Sequence, residues 1–276
     1  MKRTFRLILE YDGAGFVGWQ VQAEGTRTVQ GELETAITRV CGAQVRVLGS
    51  GRTDAGVHAE GQVASVCVET EVPERRLRRA LNGVLPDDLV VRDLKEVEES
   101  FDARRGAVSK LYRYSIWNGP QRSPLRASRA LRLERPLDLV AVRRAAADLV
   151  GVHDFAAFQA AGSDVKTSVR ELLRVDALGS SGATVDFYFE GTGFLRHMVR
   201  ILVGTLIQVG SGRRAPDSIP GLLASRDRGQ AGPTVPANGL TLLEVRYTPR
   251  GDPARSDANP QEKQALPLDS GSALRY

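Results

Sequence analysis

The order in which strand-like and helix-like segments follow one another does most to limit what this chain can fold into. Phe5, Leu7, Leu9 and Tyr11 alternate with other residues, the period-two signature of a half-buried strand. Thr28 stands as an N-cap before a helical stripe of Val29, Leu33, Ala36, Ile37 and Val40. Strands near residues 45–48 and 62–68, a helix near 74–83 and a strand near 89–97 complete a βαββαβ series. Beyond residues 101–109 the same order returns. A strand over Tyr112, Tyr114 and Ile116 precedes a helix over Leu139, Val142, Ala146 and Leu149. Strands near 169–177 and 184–190, a helix at 195–208 and a strand from Leu240 to Tyr247 follow. No sequence repeat accompanies the repeated order. The pattern predicts an α+β protein of two ferredoxin-like halves, residues 1–105 and 106–248, each an antiparallel sheet backed by helices with a cleft between them. Residues 249–276 are rich in Pro, Asp, Asn, Ser and Gly, show no periodicity, and read as a disordered tail.

With 276 residues, 42% hydrophobic and 26% charged, the chain has the composition of a soluble globular protein. No apolar run approaches the roughly 18 to 20 residues that span a bilayer. The N-terminal residues enter a strand pattern directly, and Cys41 and Cys67 are too few for a disulfide framework, so a cytoplasmic protein with buried free thiols is expected. A net charge of +5 favours a polyanionic partner. Arginine greatly outnumbers lysine and is clustered, with Arg75, Arg76, Arg78 and Arg79 in one helical segment and Arg122, Arg126, Arg129, Arg132 and Arg135 through the middle. The planar guanidinium suits phosphate contacts and stacking on bases, although some of these arginines must simply solvate helix faces.

Between two strand-like runs lies Gly49-Ser50-Gly51-Arg52-Thr53-Asp54-Ala55-Gly56-Val57-His58-Ala59-Glu60-Gly61-Gln62. Its glycines permit a loop folded tightly around a ligand, from which Asp54 would project on a rigid support. An Asp that merely caps a turn through its own backbone would look the same. Gly13-Ala14-Gly15-Phe16-Val17-Gly18 matches the dinucleotide fingerprint after a strand, but no helix opens at those glycines to receive a pyrophosphate. A bent loop anchored by Phe16 and Trp19 is the better reading. His58, His153 and His197 lack metal-like spacing, no C-x-x-C occurs, and Gly51-Arg52-Thr53 lacks a P-loop ending, so no metal and no cofactor is implied.

Lys110-Leu111-Tyr112-Arg113-Tyr114 alternates on a strand, with Lys110, Tyr112 and Tyr114 on one face. A tyrosine beside cations can stack on an unpaired base, and it can equally be sheet packing. In Phe194-Leu195-Arg196-His197-Met198-Val199-Arg200, Arg196 and Arg200 stand four apart at a helix start, positioned to grip phosphate or to hold a carboxylate.

In this order the segments resemble the TruA family of tRNA pseudouridine synthases. The resemblance is carried by Tyr11-Asp12-Gly13 with Gly18-Trp19-Gln20, by Gly51 to Ala59, by Lys110-x-Tyr112-x-Tyr114, by Phe194 to Arg200 and by the closing Gly239-Leu240 strand, over residues 4–248. It implies a cofactor-free isomerase that converts uridine to pseudouridine in the tRNA anticodon stem-loop, at positions 38 to 40, and works as a homodimer on tRNA. It further implies Asp54 as catalytic nucleophile and Tyr112 as a contact to the target base. Arg52 would fill the space left by the flipped base or bind an adjacent phosphate, and Arg170 would pair with Asp54. Arg196, Arg200, Arg75, Arg76, Arg78 and Arg79 are the candidate tRNA phosphate contacts.

Overall fold

Alternation puts Phe5, Leu7, Leu9 and Tyr11 on the buried face of β1 (Lys2–Tyr11), which pairs antiparallel with β3 (His58–Glu69) and β4 (Leu89–Val97). The computed structural model describes residues 1–22, 25–162, 165–180 and 182–248; the tail expected over 249–276 lies outside them. Between β1 and β3 come α1 (Val29–Cys41) and the two-residue strand β2 (Leu48–Gly49). Thr28 caps α1 as expected, its Oγ1 accepting from the Gly31 amide at 3.2 Å, and Val29, Leu33, Ala36 and Ile37 face the core. The second helix, α2 (Glu74–Asn82), lies over β4.

The second half runs β5 (Ser109–Trp117), β6 (Leu131–Arg132), α3 (Leu139–Ala147), β7 (Gly151–Asp154), β8 (Val169–Gly179), β9 (Thr184–Gly191), α4 (Met198–Gly210), α5 (Ile219–Ser225) and β10 (Leu240–Arg246). The short strands β6 and β7 and the helix α5 have no counterpart in the sequence reading. Helix α4 begins at Met198 rather than at 195, because His197 adopts a left-handed conformation (φ 59°) that an α-helix cannot include. Among α4 residues only Arg200 is charged; Met198, Val199, Ile201, Leu202, Val203, Leu206 and Ile207 are buried around it, the profile of a helix enclosed on most sides.

Instead of two separate antiparallel sheets, all ten strands form one mixed sheet in the order β4-β1-β3-β10-β5-β9-β8-β7, with β2 on β3 and β6 on β5. The joint is β10. It pairs antiparallel with β5 and parallel with β3 at His58 and Ala59. The reason is an unfilled edge: β2 covers only Ser65 and Ala64 of β3, leaving the N-terminal end of that strand with unpaired backbone groups. β10 completes that edge and draws the two halves together beside the residue 49–57 loop. Cys67 also departs from expectation, for it lies exposed on β3, and Cys41 is half-buried. Among the described residues, no helix is long and apolar enough to cross a membrane.

Candidate active site

The glycine-rich loop between β2 and β3 is fixed from below by buried polar contacts. Gln62, fully buried on β3, accepts from Ser50 Oγ at 2.7 Å and donates from Nε2 to the Gly51 carbonyl at 3.0 Å. Thr53 Oγ1 lies 2.8 Å from the Tyr11 hydroxyl, and the Trp19 amide donates to the Thr53 carbonyl at 3.1 Å. Burial pushes the Tyr11 phenol up to about 12, so it stays protonated at neutral pH. Such satisfied buried groups hold a loop in a single conformation.

The Gly13–Gly18 segment serves this loop. A Cβ on Gly13 would lie 2.1 Å from the Val57 carbonyl oxygen, and Gly18 (φ 96°) would place one 2.8 Å from the Thr53 carbonyl oxygen. Both glycines let one loop lie directly on the other. Gly13 to Gly15 form a single 3-10 turn, not a helix N-terminus able to take a pyrophosphate.

On this support the Asp54 carboxylate faces the second half of the chain. Arg200 Nη1 donates to Asp54 Oδ2 at 3.2 Å, and His197 Nε2 lies 3.5 Å from the same oxygen. Arg200 is fixed in turn by its Nε donating to the Val235 carbonyl at 2.8 Å. Desolvation, opposed by Asp54 and reinforced by Arg200, Arg196 and Arg228, lowers the His197 pKa and favours the neutral imidazole. Tyr112, on β5, is nearly buried and packs edge-on against Phe194 at 5.0 Å between ring centroids. Burial, with the nearby Tyr11 and the negative charge of Asp54, raises the Tyr112 phenol well above its ordinary range. A protonated phenol can donate and stack, while a resting phenolate at neutral pH is disfavoured. Tyr114 is core: it is fully buried and its hydroxyl donates to the Pro236 carbonyl at 2.8 Å.

The remaining candidates fall elsewhere. Arg170 does not meet Asp54; its Nη1 donates to the Thr167 and Val169 carbonyls, so the cation against Asp54 is Arg200 of α4. Arg196 and Arg200 do not project together. Because Arg196 precedes the left-handed His197, it turns away and donates to the Ala161 carbonyl at 2.8 Å. Arg52 points outward with Nε on Gln20 Oε1 at 3.2 Å, available at the loop rim. Arg75, Arg76 and Arg79 are exposed on α2, over the edge strand β4, while Arg78 donates to the Arg92 carbonyl at 3.0 Å. That helix is set apart from the Asp54 seam by the width of β1 and β3. Among the described residues, no group of three or more His, Cys, Asp or Glu side chains gathers as a metal site would require.

Sequence reasoning missed His197 as a contact of Asp54 and assigned the aspartate's partner to the wrong arginine. The available signal was Arg200 itself, a lone charge in an otherwise uncharged, largely apolar helix, which must find a counter-ion if it is to be buried.

A carboxylate presented on a rigid loop, ion-paired across a seam and neighboured by a nearly buried tyrosine, can act as a nucleophile or base. Sequence comparison agrees with this class of site. The family described as tRNA pseudouridine synthase matches residues 7–104 and 145–248. The tRNA pseudouridine synthase A of Myxococcus xanthus is 49% identical over 251 residues, covering 91% of this chain and 94% of that protein. The tRNA pseudouridine synthase A of Syntrophotalea carbinolica is 47% identical over 245 residues, covering 89% and 96%. Among solved structures, the archaeal box H/ACA sRNP Nop10-Cbf5 complex aligns over 74% of this chain and 44% of that chain at 12% identity and a TM-score of 0.33, too low to bear on the fold. The chain belongs to the tRNA pseudouridine synthase family, whose members are isomerases acting on tRNA.

Proposed function

We propose that this chain isomerises uridine to pseudouridine in the anticodon stem-loop of tRNA, at positions 38 to 40, by a cofactor-free reaction that depends on Asp54. The observation that carries the proposal is the Asp54 carboxylate, held by Arg200 and His197 of one half of the chain while its own loop belongs to the other. Isomerisation requires the C1′–N1 glycosidic bond to break, the uracil to turn, C5 to bond to C1′, and the C5 proton to leave. Asp54 serves either of two routes. Its oxygen can bond to C1′ as N1 departs with the bonding electrons, to be displaced later by C5; or it can take the C2′ proton as N1 departs, leaving a glycal, and return that proton to C2′ when C5 bonds to C1′. Both routes are redox-neutral, and the proton lost from C5 balances the one gained at N1.

A uridine within a stem must be everted to reach the carboxylate, at a cost of a few kcal/mol. Tyr112 is the surface on which the extruded uracil stacks, and Arg52 at the loop rim takes the vacated space or the adjacent phosphate. The arginines of α2 and Arg196 extend the phosphate-binding surface. Arg170 retains only the role of an outlying cation. We read the halves, divided near residue 105, as ferredoxin-like; in support, once the short strands β6 and β7 are set aside and each half is counted from its own first strand, the orders β4-β1-β3-β2 and β10-β5-β9-β8 both read 4-1-3-2. The homodimer is carried over from the family resemblance, and the cytoplasmic location from the sequence expectation.

The test is release of tritium from tRNA labelled at uracil C5. Wild-type protein is expected to release it, and Asp54→Asn is expected to abolish release while binding tRNA with little change. Normal release by Asp54→Asn would overturn the assignment, and no pseudouridine in wild-type reactions would overturn the function.

A further inference from the structure

One cation beside the site has no role in the chemistry above. Lys110 lies on β5 two residues before Tyr112, on the same face and about 6.6 Å along the strand. Its ammonium reaches under the catalytic loop, since a Cβ on Gly51 would lie 3.0 Å from Lys110 Nζ and 3.4 Å from Cε. The side chain is half-buried, and no hydrogen bond or ion pair joins its ammonium to another described residue. The charge that acts on it is Arg104, which is of the same sign, and burial and Arg104 together lower its pKa. Arg52 follows Gly51 directly, so Lys110 and Arg52 both border this end of the loop. Glu190, opposite Leu111 in the β5–β9 pair, accepts from Arg246 and Ser109, and the Asp102 carboxylate accepts from the Arg104 and Arg105 amides.

Withdrawing an ammonium from water without a counter-ion is costly, so a fold that keeps one here, next to a glycine that leaves it room, has a place for an anion. The strongly hydrated, compact charge of lysine suits a phosphate oxygen, not the flat edge of uracil. We propose that Lys110 docks a backbone phosphate adjacent to the everted uridine, with Arg52 and Arg104 flanking it. The proposal rests on the reading that this cleft takes RNA. It makes Gly51 a spacer: a side chain at that position would displace the ammonium from beneath the loop.

The test is tRNA binding to the full chain by filter retention between about 50 and 200 mM salt. For Lys110→Met, which keeps the stem and removes the charge, the slope of log K against log salt is expected to flatten by about one, and affinity near 0.1 M salt to fall roughly five- to tenfold. Lys110→Arg is expected to retain both. In parallel, neutral methylphosphonates are walked through the phosphates flanking the target uridine of a synthetic stem-loop. One position should weaken wild-type binding by the same factor and leave Lys110→Met unaffected. An unchanged salt slope in Lys110→Met, or equal losses in wild type and variant at every position, would overturn the proposal. If Lys110→Met does not fold, the walk on wild type decides, and the absence of any sensitive flanking phosphate overturns it. Failure of the functional reading looks different: wild-type protein would form no pseudouridine, whatever the salt slopes.

Discussion

Arg200→Met separates the two tasks that a guanidinium at this place can perform. In the structure its Nη1 serves Asp54 and its Nε serves the Val235 carbonyl, so the charge is already committed within the protein. Removal forfeits one charge-assisted hydrogen bond, worth about 1.5–3 kcal/mol, and one ordinary bond of about 1 kcal/mol. Asp54 is 31% exposed, so water replaces part of the first, and a net loss of about 1.5 kcal/mol is the reasonable figure. For a domain of this size that lowers the melting temperature by about 3–6 °C, measurable by calorimetry. The effect on rate is larger, because a carboxylate displaced by about 1 Å from its reacting geometry costs on the order of a hundredfold. Single-turnover tritium release is expected to slow by that factor, with tRNA affinity and its salt slope unchanged. Were Arg200 a phosphate contact instead, the slope would flatten by about one and affinity would fall at every salt concentration. That result, or a rate close to wild type, would refute the reading of Arg200 as the partner that positions Asp54.

Two further outcomes follow from the same geometry. Gly18→Ala adds a Cβ 2.8 Å from the Thr53 carbonyl oxygen at φ 96°, so it is expected to cost about 1–3 kcal/mol and to lower tritium release by shifting the Asp54 loop, checked by melting temperature and rate together. His197 has a pKa below its ordinary 6.5, so the unfolded chain binds more protons in the window beneath that value. Stability is therefore complete above about 6.5 and declines as pH falls, and thermal melts of His197→Gln are expected to show a shallower acid-side decline than wild type.

Most of the fold's elements were legible because they obey a local rule. The alternation of Phe5 to Tyr11, the Thr28 cap and the apolar stripes of α1 and α4 are each set within a dozen residues. What was not legible is non-local. Nothing within residues 240–246 states that this strand will lie parallel to His58–Ala59, because that pairing depends on β2 being only two residues long and leaving the edge of β3 open. The start of α4 was misplaced for a smaller reason. Arg196 and Arg200 have helical spacing, and only the left-handed His197 separates them.

The same distinction explains the site. Asp54 stood out because a glycine-rich loop with one carboxylate is a local pattern, and Tyr112 because it alternates along one strand. Arg170 and Arg200 could not be ranked by pattern, since each lies more than a hundred residues from Asp54 and spacing does not tell which one closes the distance. Burial decides between them. Arg200 emerges from a helix whose other faces are apolar, so its charge must be met from outside the helix, and the Asp54 loop, drawn near by β10, supplies the carboxylate. Arg170 lies near the exposed start of β8, where backbone carbonyls and water suffice. In a seam between two halves, the residue that must find a partner is the one whose own element offers none. By that criterion Arg200 is satisfied within the protein, whereas Lys110, like Arg52 at the loop rim, is a cation still open to a ligand.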